Sequence, residues 1–193
     1  RLAAAEAACL EAEQTAHLNK EGVPATDDSA KYTWRENPSA TVKAIFVHPE
    51  GDVKGHFVET TEGNGEGPFG VILDKTSYYA EAGGQIFDTG SVSKAGGGGT
   101  QTVSSCQCFA GFVMHIGNVA EGALAVGDSV ESCVDYERRS RVAPNHTMTH
   151  VLNYALRKAL NPDPDKVTVT VDQRGSQVTE DRLRFDFHCP RAV

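Results

Sequence analysis

The sequence is organised around the stretch PNHTMTHVL, which occupies residues 144–152. This stretch places His146 and His150 four residues apart, and residues at that spacing share one face of an α-helix. Two imidazoles on one face can bind the same metal ion. Such pairs also occur on ordinary helices, so the spacing alone leaves open both a metal site and a plain helix surface.

The residues around the histidine pair predict where the helix begins and ends. Apolar residues recur at three- and four-residue steps through residues 151–159, which indicates a helix. Asn145 is the expected N-cap, and Asn161–Pro162 is expected to end the helix. Thr147 stands where the metalloprotease motif H-E-x-x-H has its catalytic Glu, so that class of protease is excluded.

Composition predicts a folded chain of modest acidity. Of its 193 residues 39% are hydrophobic and 23% charged, enough for a core, and the net charge of -8 argues against a surface that grips nucleic acid all over. No apolar run is long enough to span a bilayer, and no signal peptide opens the chain. Because the chain begins at Arg1 rather than Met, we expect an excerpt of a longer protein. We interpret the basic residues around the histidine pair as a solvated charged stretch: Arg138, Arg139, Arg141, Arg157 and Lys158.

The cysteines point to a reducing compartment rather than to a metal site. Their number is odd, and no C-x-x-C spacing is present. We interpret them as structural thiols. His188 and Cys189 are adjacent but follow a predicted strand, and we do not assign them as ligands. The five cysteines are Cys9, Cys106, Cys108, Cys133 and Cys189.

The periodicity along the chain predicts an α+β fold. Residues 1–21 favour a helix whose packing partners lie elsewhere, and residues 22–40 a linker. Short segments with Gly-rich punctuation then predict a sandwich or small barrel, with glycines 96–99 as a hairpin tip. The period changes near Tyr136, which we take as a domain boundary. The predicted strands are 41–47, 55–60, 69–73, 86–92, 102–108, 111–116 and 129–134, followed after the helix by 167–171 and 183–187.

Four further motifs accompany the histidine pair. They are TDDSAKY at residues 26–32, TSYYAEAGGQ at 76–85, QRGS at 173–176 and RLRFDF at 182–187. Taken together and in this order, they resemble the editing region of alanyl-tRNA synthetase (alanine-tRNA ligase) of the eukaryotic type. The resemblance runs from about residue 21 to residue 187, and its specificity lies in the ordered set rather than in any single motif.

The resemblance implies three regions. Residues 1–35 would be the C-terminal helix and linker of a preceding tRNA-recognition domain. Residues 36–136 would be a small β-barrel subdomain. Residues 137–193 would be the first, incomplete part of a zinc-dependent editing domain, an α/β two-layer core of the threonyl/alanyl-tRNA synthetase second additional domain type.

The resemblance also implies the site residues. His146 and His150 would bind Zn²⁺, with the remaining ligands on a C-x-x-x-H segment that this chain lacks. Thr149 and Gln173 would act in the pocket that inspects the aminoacyl group, and Met148, where the family has a small residue, is expected to face the core. The substrate-binding residues implied are Gly83, Gly84, Gln85, Arg174 and Gly175.

The triplet Gly83-Gly84-Gln85 has a second possible meaning, because class I peptide release factors use Gly-Gly-Gln to hydrolyse an ester on tRNA. There the triplet lies in a mobile loop, whereas here its neighbours predict structured elements. We interpret it as a tight turn that needs positive φ and that also shapes the editing cleft.

The implied activity is hydrolysis of seryl- or glycyl-tRNA(Ala), while the parent enzyme would ligate alanine to tRNA(Ala) with ATP and Mg²⁺. The expected partners are tRNA(Ala) and the remaining domains of the synthetase, with no membrane and no DNA. The expected location is the cytoplasm, with mitochondrion and plastid left open. Two alternatives remain: a free-standing trans-editing deacylase and an inactive tRNA-binding module. Because two imidazoles are half a zinc site, we expect residues 1–193 alone to bind zinc poorly and to hydrolyse little.

Overall fold

The computed structural model describes residues 9–48, 55–65, 67–161, 163 and 169–190. The chain divides into two compact units, Arg1–Ala80 with Phe87–Asp135 and Glu81–Ile86 with Tyr136–Val193. In the described ranges the sheets are built mostly from antiparallel strands and accompanied by two α-helices. The predicted α+β class is confirmed.

The first unit begins with a short helix and is otherwise mostly β-structure. Helix α1 spans Ala12–Lys20 and ends at the C-cap Glu21, beyond which Gly22 has φ 73°, a left-handed conformation that suits a helix terminus. A 3₁₀-helix follows at Ser29–Tyr32. The strands are β1 Ser39–Val47, β2 His56–Val58, β3 Phe69–Leu73, β4 Gly90–Lys94, β5 Gly99–Phe109, β6 Phe112–Gly122 and β7 Ser129–Val134.

The seven strands form one antiparallel sheet in the order β2-β1-β3-β6-β5-β4-β7. Strand β1 also pairs with β7, through partners such as Ala40 and Val130. In the sheet order, β1, β3, β6, β5, β4 and β7 therefore each have a hydrogen-bonded strand on both sides, whereas β2 pairs only with β1. Such closure leaves fewer unpaired N–H and C=O groups at sheet edges.

Helix α1 packs on this sheet through two leucines. Leu10, just before the helix, and Leu18 within it are buried in one cluster with Phe46, Ile72 and Met114. Burial of a leucine side chain stabilises a fold by about 1.5–3 kcal/mol. The expectation that this helix packs outside the chain is therefore wrong for the described residues.

The sequence predicts the central strands better than their ends. Strands 69–73 and 129–134 are confirmed, and so is the hairpin tip at the glycines, where residues 96–98 all have positive φ. Strand 86–92 is confirmed only at residues 90–92, because β4 begins at Gly90 and the N–H of Ile86 donates to the carbonyl of Val178 instead. Strands β5 and β6 extend beyond the predicted 102–108 and 111–116, because their polar and glycine residues pair in the ladder.

A buried histidine lies at the centre of the first unit. His115 Nδ1 donates to the carbonyl of Val71 at 3.0 Å, and its Nε2 accepts from the hydroxyl of Thr76 at 2.8 Å. The ring of Tyr78 lies edge-on to it, with centroids 4.9 Å apart. Burial lowers the pKa of His115 to about 4, because desolvation disfavours the charged ring. This histidine is a satisfied core residue.

In the described ranges the second unit contains one long helix and a hairpin, together with the segment Glu81–Ile86. Helix α2 spans Tyr136–Leu160, strand β8 spans Asp172–Val178 and strand β9 spans Leu183–His188. The helix packs against both strands. None of the helices in the described ranges combines the length and apolar composition needed to cross a membrane.

Two predictions in this region are wrong. Asn145 is not an N-cap, because α2 begins at Tyr136 and runs through Pro144. Pro144 favours a helix start locally, but burial of Val142 in the preceding turn helps to keep that turn helical. Residues 169–171 are not a strand, and residues 167–168 lie outside the described ranges. The predicted helix end is confirmed, since α2 ends at Leu160.

Candidate metal-binding and ester-hydrolysis site

The two histidines lie on one side of α2, in the second unit. Their rings stack with centroids 5.6 Å apart and an angle of 20° between the planes. His146 is half-buried and His150 is exposed. The four-residue step therefore brings the two imidazoles side by side, as the sequence predicts.

The Gly-Gly-Gln triplet forms a tight turn. The N–H of Gln85 donates to the carbonyl of Ala82 at 2.9 Å, and the two residues between them, Gly83 and Gly84, have φ of 59° and 82°. Positive φ at both central residues is the requirement of a type I′ turn, which glycine meets without strain. The interpretation of this triplet as a tight turn is confirmed.

This turn is joined to strand β8 by backbone hydrogen bonds. The N–H of Val178 donates to the carbonyl of Gly84 at 2.7 Å, and the N–H of Ile86 donates to the carbonyl of Val178 at 3.0 Å. The hydroxyl of Ser176 adds a bond to the carbonyl of Gly83 at 3.1 Å. The turn thus becomes a short extension of the β8–β9 hairpin, in parallel pairing with β8.

Gln85 connects the turn to the histidine pair. Its Oε1 lies 2.8 Å from Nδ1 of His146, and its side chain is only 5% exposed. A second hydrogen bond joins α2 to the hairpin: the side-chain amide of Asn145 donates to the carbonyl of Thr179 at 2.9 Å. Three motifs that are far apart in sequence, at 83–85, 146–150 and 173–176, therefore meet in one unit.

Thr149 and Gln173 differ in their surroundings. Thr149 is 2% exposed, and its hydroxyl donates to the carbonyl of Asn145 at 3.0 Å. Its oxygen lone pairs remain able to accept a further bond. Gln173 is exposed and lies within β8 opposite Phe187, so the sequence QRGS is part of a strand rather than a turn. Among the described residues the two side chains share no hydrogen bond.

The remaining predicted substrate residues lie at an irregularity of β8. The register shifts between Gln173 and Gly175, which leaves Arg174 exposed as the extra residue of a bulge. Gly175 lies opposite Asp186, and a Cβ on it would stand 3.1 Å from the carboxylate of that residue. Bulges re-aim side chains, so Arg174 and Gln173 need not follow strict strand alternation.

One face of α2 is apolar and exposed. Val151 and Leu152 are 47% and 37% exposed, and Ala155 is exposed as well. Met148 is 48% exposed, so the expectation that it faces the core is wrong. The recurrence of apolar residues predicts an apolar face on this helix, but it does not predict which face the hairpin covers.

The basic residues near the start of α2 are largely paired with acids or buried. Arg141 contacts Glu137 at 3.1 Å and Glu180 at 3.0 Å, and Arg138 lies 3.8 Å from Glu180. Arg139 is only 4% exposed and lies over the ring of Tyr136, so the interpretation of a wholly solvated stretch is wrong at this position. Arg157 and Lys158 are exposed, as that interpretation predicts.

The histidine pair has the donor chemistry that Zn²⁺ prefers, since neutral imidazole nitrogens are common zinc ligands. It supplies two donors, whereas zinc in proteins takes three or four from side chains. No group of three His, Cys, Asp or Glu residues that could hold a metal occurs in the part of the chain described. Within the described residues none of the five cysteines forms a disulfide, Cys189 included.

Sequence reasoning missed two residues that organise this site. Ser176 holds the Gly-Gly-Gln turn, and Asn145 holds the β8–β9 connection rather than capping a helix. The consecutive glycines indicate that some residue packs closely against the turn, as Ser176 does, because glycine allows the backbone to approach a neighbour closely. No local pattern indicates the second, since Pro144-Asn145 favours a helix start.

Comparisons with known proteins agree with the ordered motifs. The sequence profile of the tRNA synthetases class II (A) matches residues 3–138. The cytoplasmic alanine-tRNA ligase of Bombyx mori is 45% identical over 187 residues, covering 92% of this chain and 18% of the relative. The cytoplasmic enzyme of Dictyostelium discoideum is 42% identical, and the mitochondrial alanine-tRNA ligase of Saccharomyces cerevisiae is 38% identical. The chain thus spans about a fifth of the length of these relatives, and by its profile match and its ordered motifs it belongs to the class II (A) family of tRNA synthetases.

Proposed function

We propose that the second unit carries the editing activity of an alanine-tRNA ligase: hydrolysis of the ester in seryl- or glycyl-tRNA(Ala). The observation that carries the proposal is the stacked His146–His150 pair, held against the Gly-Gly-Gln turn by the 2.8 Å contact of Gln85. The similarity to alanine-tRNA ligases supports the substrate class, because the tRNA to be edited is the tRNA that such an enzyme charges.

The proposed roles follow from the chemistry of each side chain. His146 and His150 would hold Zn²⁺, with further ligands from outside the described residues. The bound ion would polarise the ester carbonyl or lower the pKa of a water molecule. Thr149 and Gln173 would contact the aminoacyl group. Arg174, Gly83, Gly84, Gln85 and Gly175 would bound the cleft.

The need for such a site follows from the limits of binding energy. A pocket that fits alanine discriminates weakly against an added hydroxyl, by about a hundredfold, so a second sieve is required. Thr149 can accept from the hydroxyl of serine, and the Gln173 amide can donate or accept. Where bound tRNA buries such a group, alanine would leave it without the partner that serine supplies, at about 1–3 kcal/mol, which favours serine.

The same family membership suggests the wider context. The parent activity would be ligation of alanine to tRNA(Ala) with ATP and Mg²⁺. Residues 36–136 would be a β-barrel subdomain, which the closed pairing of β1 with β7 supports. Residues 1–35 and 137–193 would belong to the tRNA-recognition and editing domains. The relatives are named cytoplasmic or mitochondrial, and we propose the cytoplasm for this chain.

A graft into a relative tests the function. The stretch of the Bombyx mori enzyme that matches this chain is replaced by it, and release of amino acid from seryl-, glycyl- and alanyl-tRNA(Ala) is measured. We expect hydrolysis of the seryl ester well above that of the alanyl ester, and its loss in His150→Ala. The variant His188→Ala is the matched control, since His188 lies at the end of β9 and has no proposed role. Equal activity in His150→Ala and in the parent graft would refute the proposal.

One observation favours a second candidate, the inactive tRNA-binding module. The described residues bring no third ligand to the histidine pair. A graft that binds tRNA(Ala) with undiminished affinity but hydrolyses none of the three esters would support that candidate. A free-standing trans-editing deacylase would instead require the chain to hydrolyse seryl-tRNA by itself.

A further inference from the structure

We propose that Gln85 is a positioning residue that fixes the tautomer of His146, so that Nε2 of this ring is presented as a metal donor. The proposal deepens the proposed function, because it rests on His146 being a ligand. It also assigns the Gly-Gly-Gln triplet a role through the histidine, beyond the substrate contact that the sequence suggests.

The argument begins with the contact between the two side chains. Oε1 of Gln85 lies 2.8 Å from Nδ1 of His146, a normal hydrogen-bond length. An amide oxygen can only accept, so the proton of this bond belongs to Nδ1. A neutral imidazole carries one N–H, and its other nitrogen then has a free lone pair. Nε2 of His146 is therefore the nitrogen able to bind a metal.

Gln85 is held so that this contact does not depend on a mobile side chain. The side chain is 5% exposed, and the backbone of Gln85 both donates to and accepts from Ala82, at 2.9 and 3.3 Å. The next residue, Ile86, donates to Val178 at 3.0 Å. A buried side chain on a backbone fixed at both ends keeps its acceptor in place at little further entropic cost.

The orientation matters because the other tautomer would place a proton on the donor nitrogen. A ring with N–H at Nε2 must lose or move that proton before it can bind a metal. Ligating histidines commonly donate their second N–H to an acceptor that fixes tautomer and ring orientation, and losing that acceptor typically lowers metal affinity by about 10–100-fold. In the metal site proposed here, Gln85 would be that acceptor for His146.

Nitrogen NMR of the histidine rings tests the proposal on the chain itself. The chain is labelled with ¹⁵N-histidine and studied without metal in alkaline buffer, where neutral rings predominate. His146 is assigned by the signals lost in His146→Gln. We expect its proton on Nδ1, as for His115, whose Nδ1 donates to the carbonyl of Val71 and which serves as an internal reference. A proton found mainly on Nε2 of His146 would overturn the proposal without any variant.

Three variants separate positioning from general disruption. Gln85→Leu removes the acceptor, and we expect His146 to lose its preference for Nδ1–H. Gln85→Glu restores an acceptor, and we expect the preference to return. Gln177→Leu removes an amide side chain from β8, opposite Arg184 and away from the Gly-Gly-Gln turn, and is the matched control, for which we expect no change of tautomer. An unchanged Nδ1–H tautomer in Gln85→Leu would contradict the proposal.

A titration with zinc alone, followed through the same ring signals, measures the zinc affinity of the histidine pair. We expect Gln85→Leu to weaken zinc binding at the histidine pair by about 10–100-fold and Gln85→Glu to restore it. Equal affinity in the parent chain and Gln85→Leu would count against the proposal. The two proposals can fail independently. A graft that hydrolyses no ester would refute the proposed function, but it would not change the tautomer of His146 that the NMR spectrum shows.

Discussion

Gly84 lies so close to Ser176 that a Cβ atom on Gly84 would overlap the carbonyl oxygen of Ser176 and stand 2.8 Å from its carbonyl carbon. The φ of Gly84 is 82°, so its conformation and its surroundings both require glycine. This close approach lets the turn join β8, and the joined turn in turn holds Gln85 beside His146. Gly84 thus contributes by allowing the turn to pack directly against the backbone of β8.

Gly84→Ala should therefore destabilise the second unit by more than the strain of holding an alanine at positive φ. Gly97→Ala is the matched control, because Gly97 has φ 89° but an added Cβ meets nothing within 4 Å. Left-handed strain costs about 1–2 kcal/mol, and we expect that cost for Gly97→Ala and a larger one for Gly84→Ala. Urea unfolding gives both values, and amide exchange at Ile86 and Val178 shows whether the loss is local. Equal costs would contradict the close packing.

The stability of the first unit should fall as the pH is lowered from about 7 to 4.5. The pKa of His115 is about 4 in the folded chain and 6.5 when unperturbed. Between these values the unfolded chain binds more protons, so the free energy of unfolding rises with pH, by roughly 3 kcal/mol across the window. The measurement is the urea midpoint of the first unit at several pH values.

The control for this prediction is His115→Gln, which does not titrate there and can still donate to the carbonyl of Val71. We expect its free energy of unfolding to lose most of the slope between pH values of about 4.5 and 6.5. Since the other histidines remain in both proteins, they contribute equally to both curves. Parallel slopes in the two proteins would contradict the prediction, because they would show that folding does not lower the pKa of His115.

Replacing Thr149 by Val or Gln173 by Ala should change substrate preference more than tRNA affinity. Both substitutions remove the hydrogen-bonding groups proposed to recognise serine, so we expect the ratio of seryl- to alanyl-tRNA hydrolysis in the graft to fall by about tenfold. The ratio of the two rates is measured together with the binding of uncharged tRNA. Rates that decline equally for both esters would exclude a sieving role.

The chain by itself should hold zinc only weakly. The described residues offer the His146–His150 pair without a third ligand beside it, and each missing ligand removes coordination energy. We expect elemental analysis to find much less than one zinc per chain after dialysis, and seryl-tRNA hydrolysis near background. One tightly held zinc per chain would contradict this and would direct attention to Cys189 and His188.

The sequence predicts best where local pattern and tertiary packing agree. Residues 69–73 are fully apolar and become the buried strand β3, and the glycines at 96–98 form a tip because positive φ excludes most other residues. The histidine pair is also predicted well, since four-residue spacing is enough to place two rings on one helix face.

The misses have a common physical cause, which is that tertiary contacts override local preference. Pro144 predicts a helix start, yet α2 runs through it with Val142 buried one turn earlier. The sequence pattern places Ile86 at the start of a strand of the first unit. Its N–H donates instead to the carbonyl of Val178, so it joins the hairpin of the second unit. The contact between Gln85 and His146 joins residues 61 positions apart, and no local pattern carries such information.

The most direct test of the central claim follows zinc content and ester hydrolysis together in the grafted enzyme. Zinc is removed with a chelator and returned in steps, and the rate of seryl-tRNA(Ala) hydrolysis is measured against zinc bound per chain. We predict that the hydrolysis rate rises in proportion to the zinc bound at the histidine pair. We also predict that His146→Ala abolishes hydrolysis. Full hydrolysis in the zinc-free enzyme, or an undiminished rate in His146→Ala, would contradict the account.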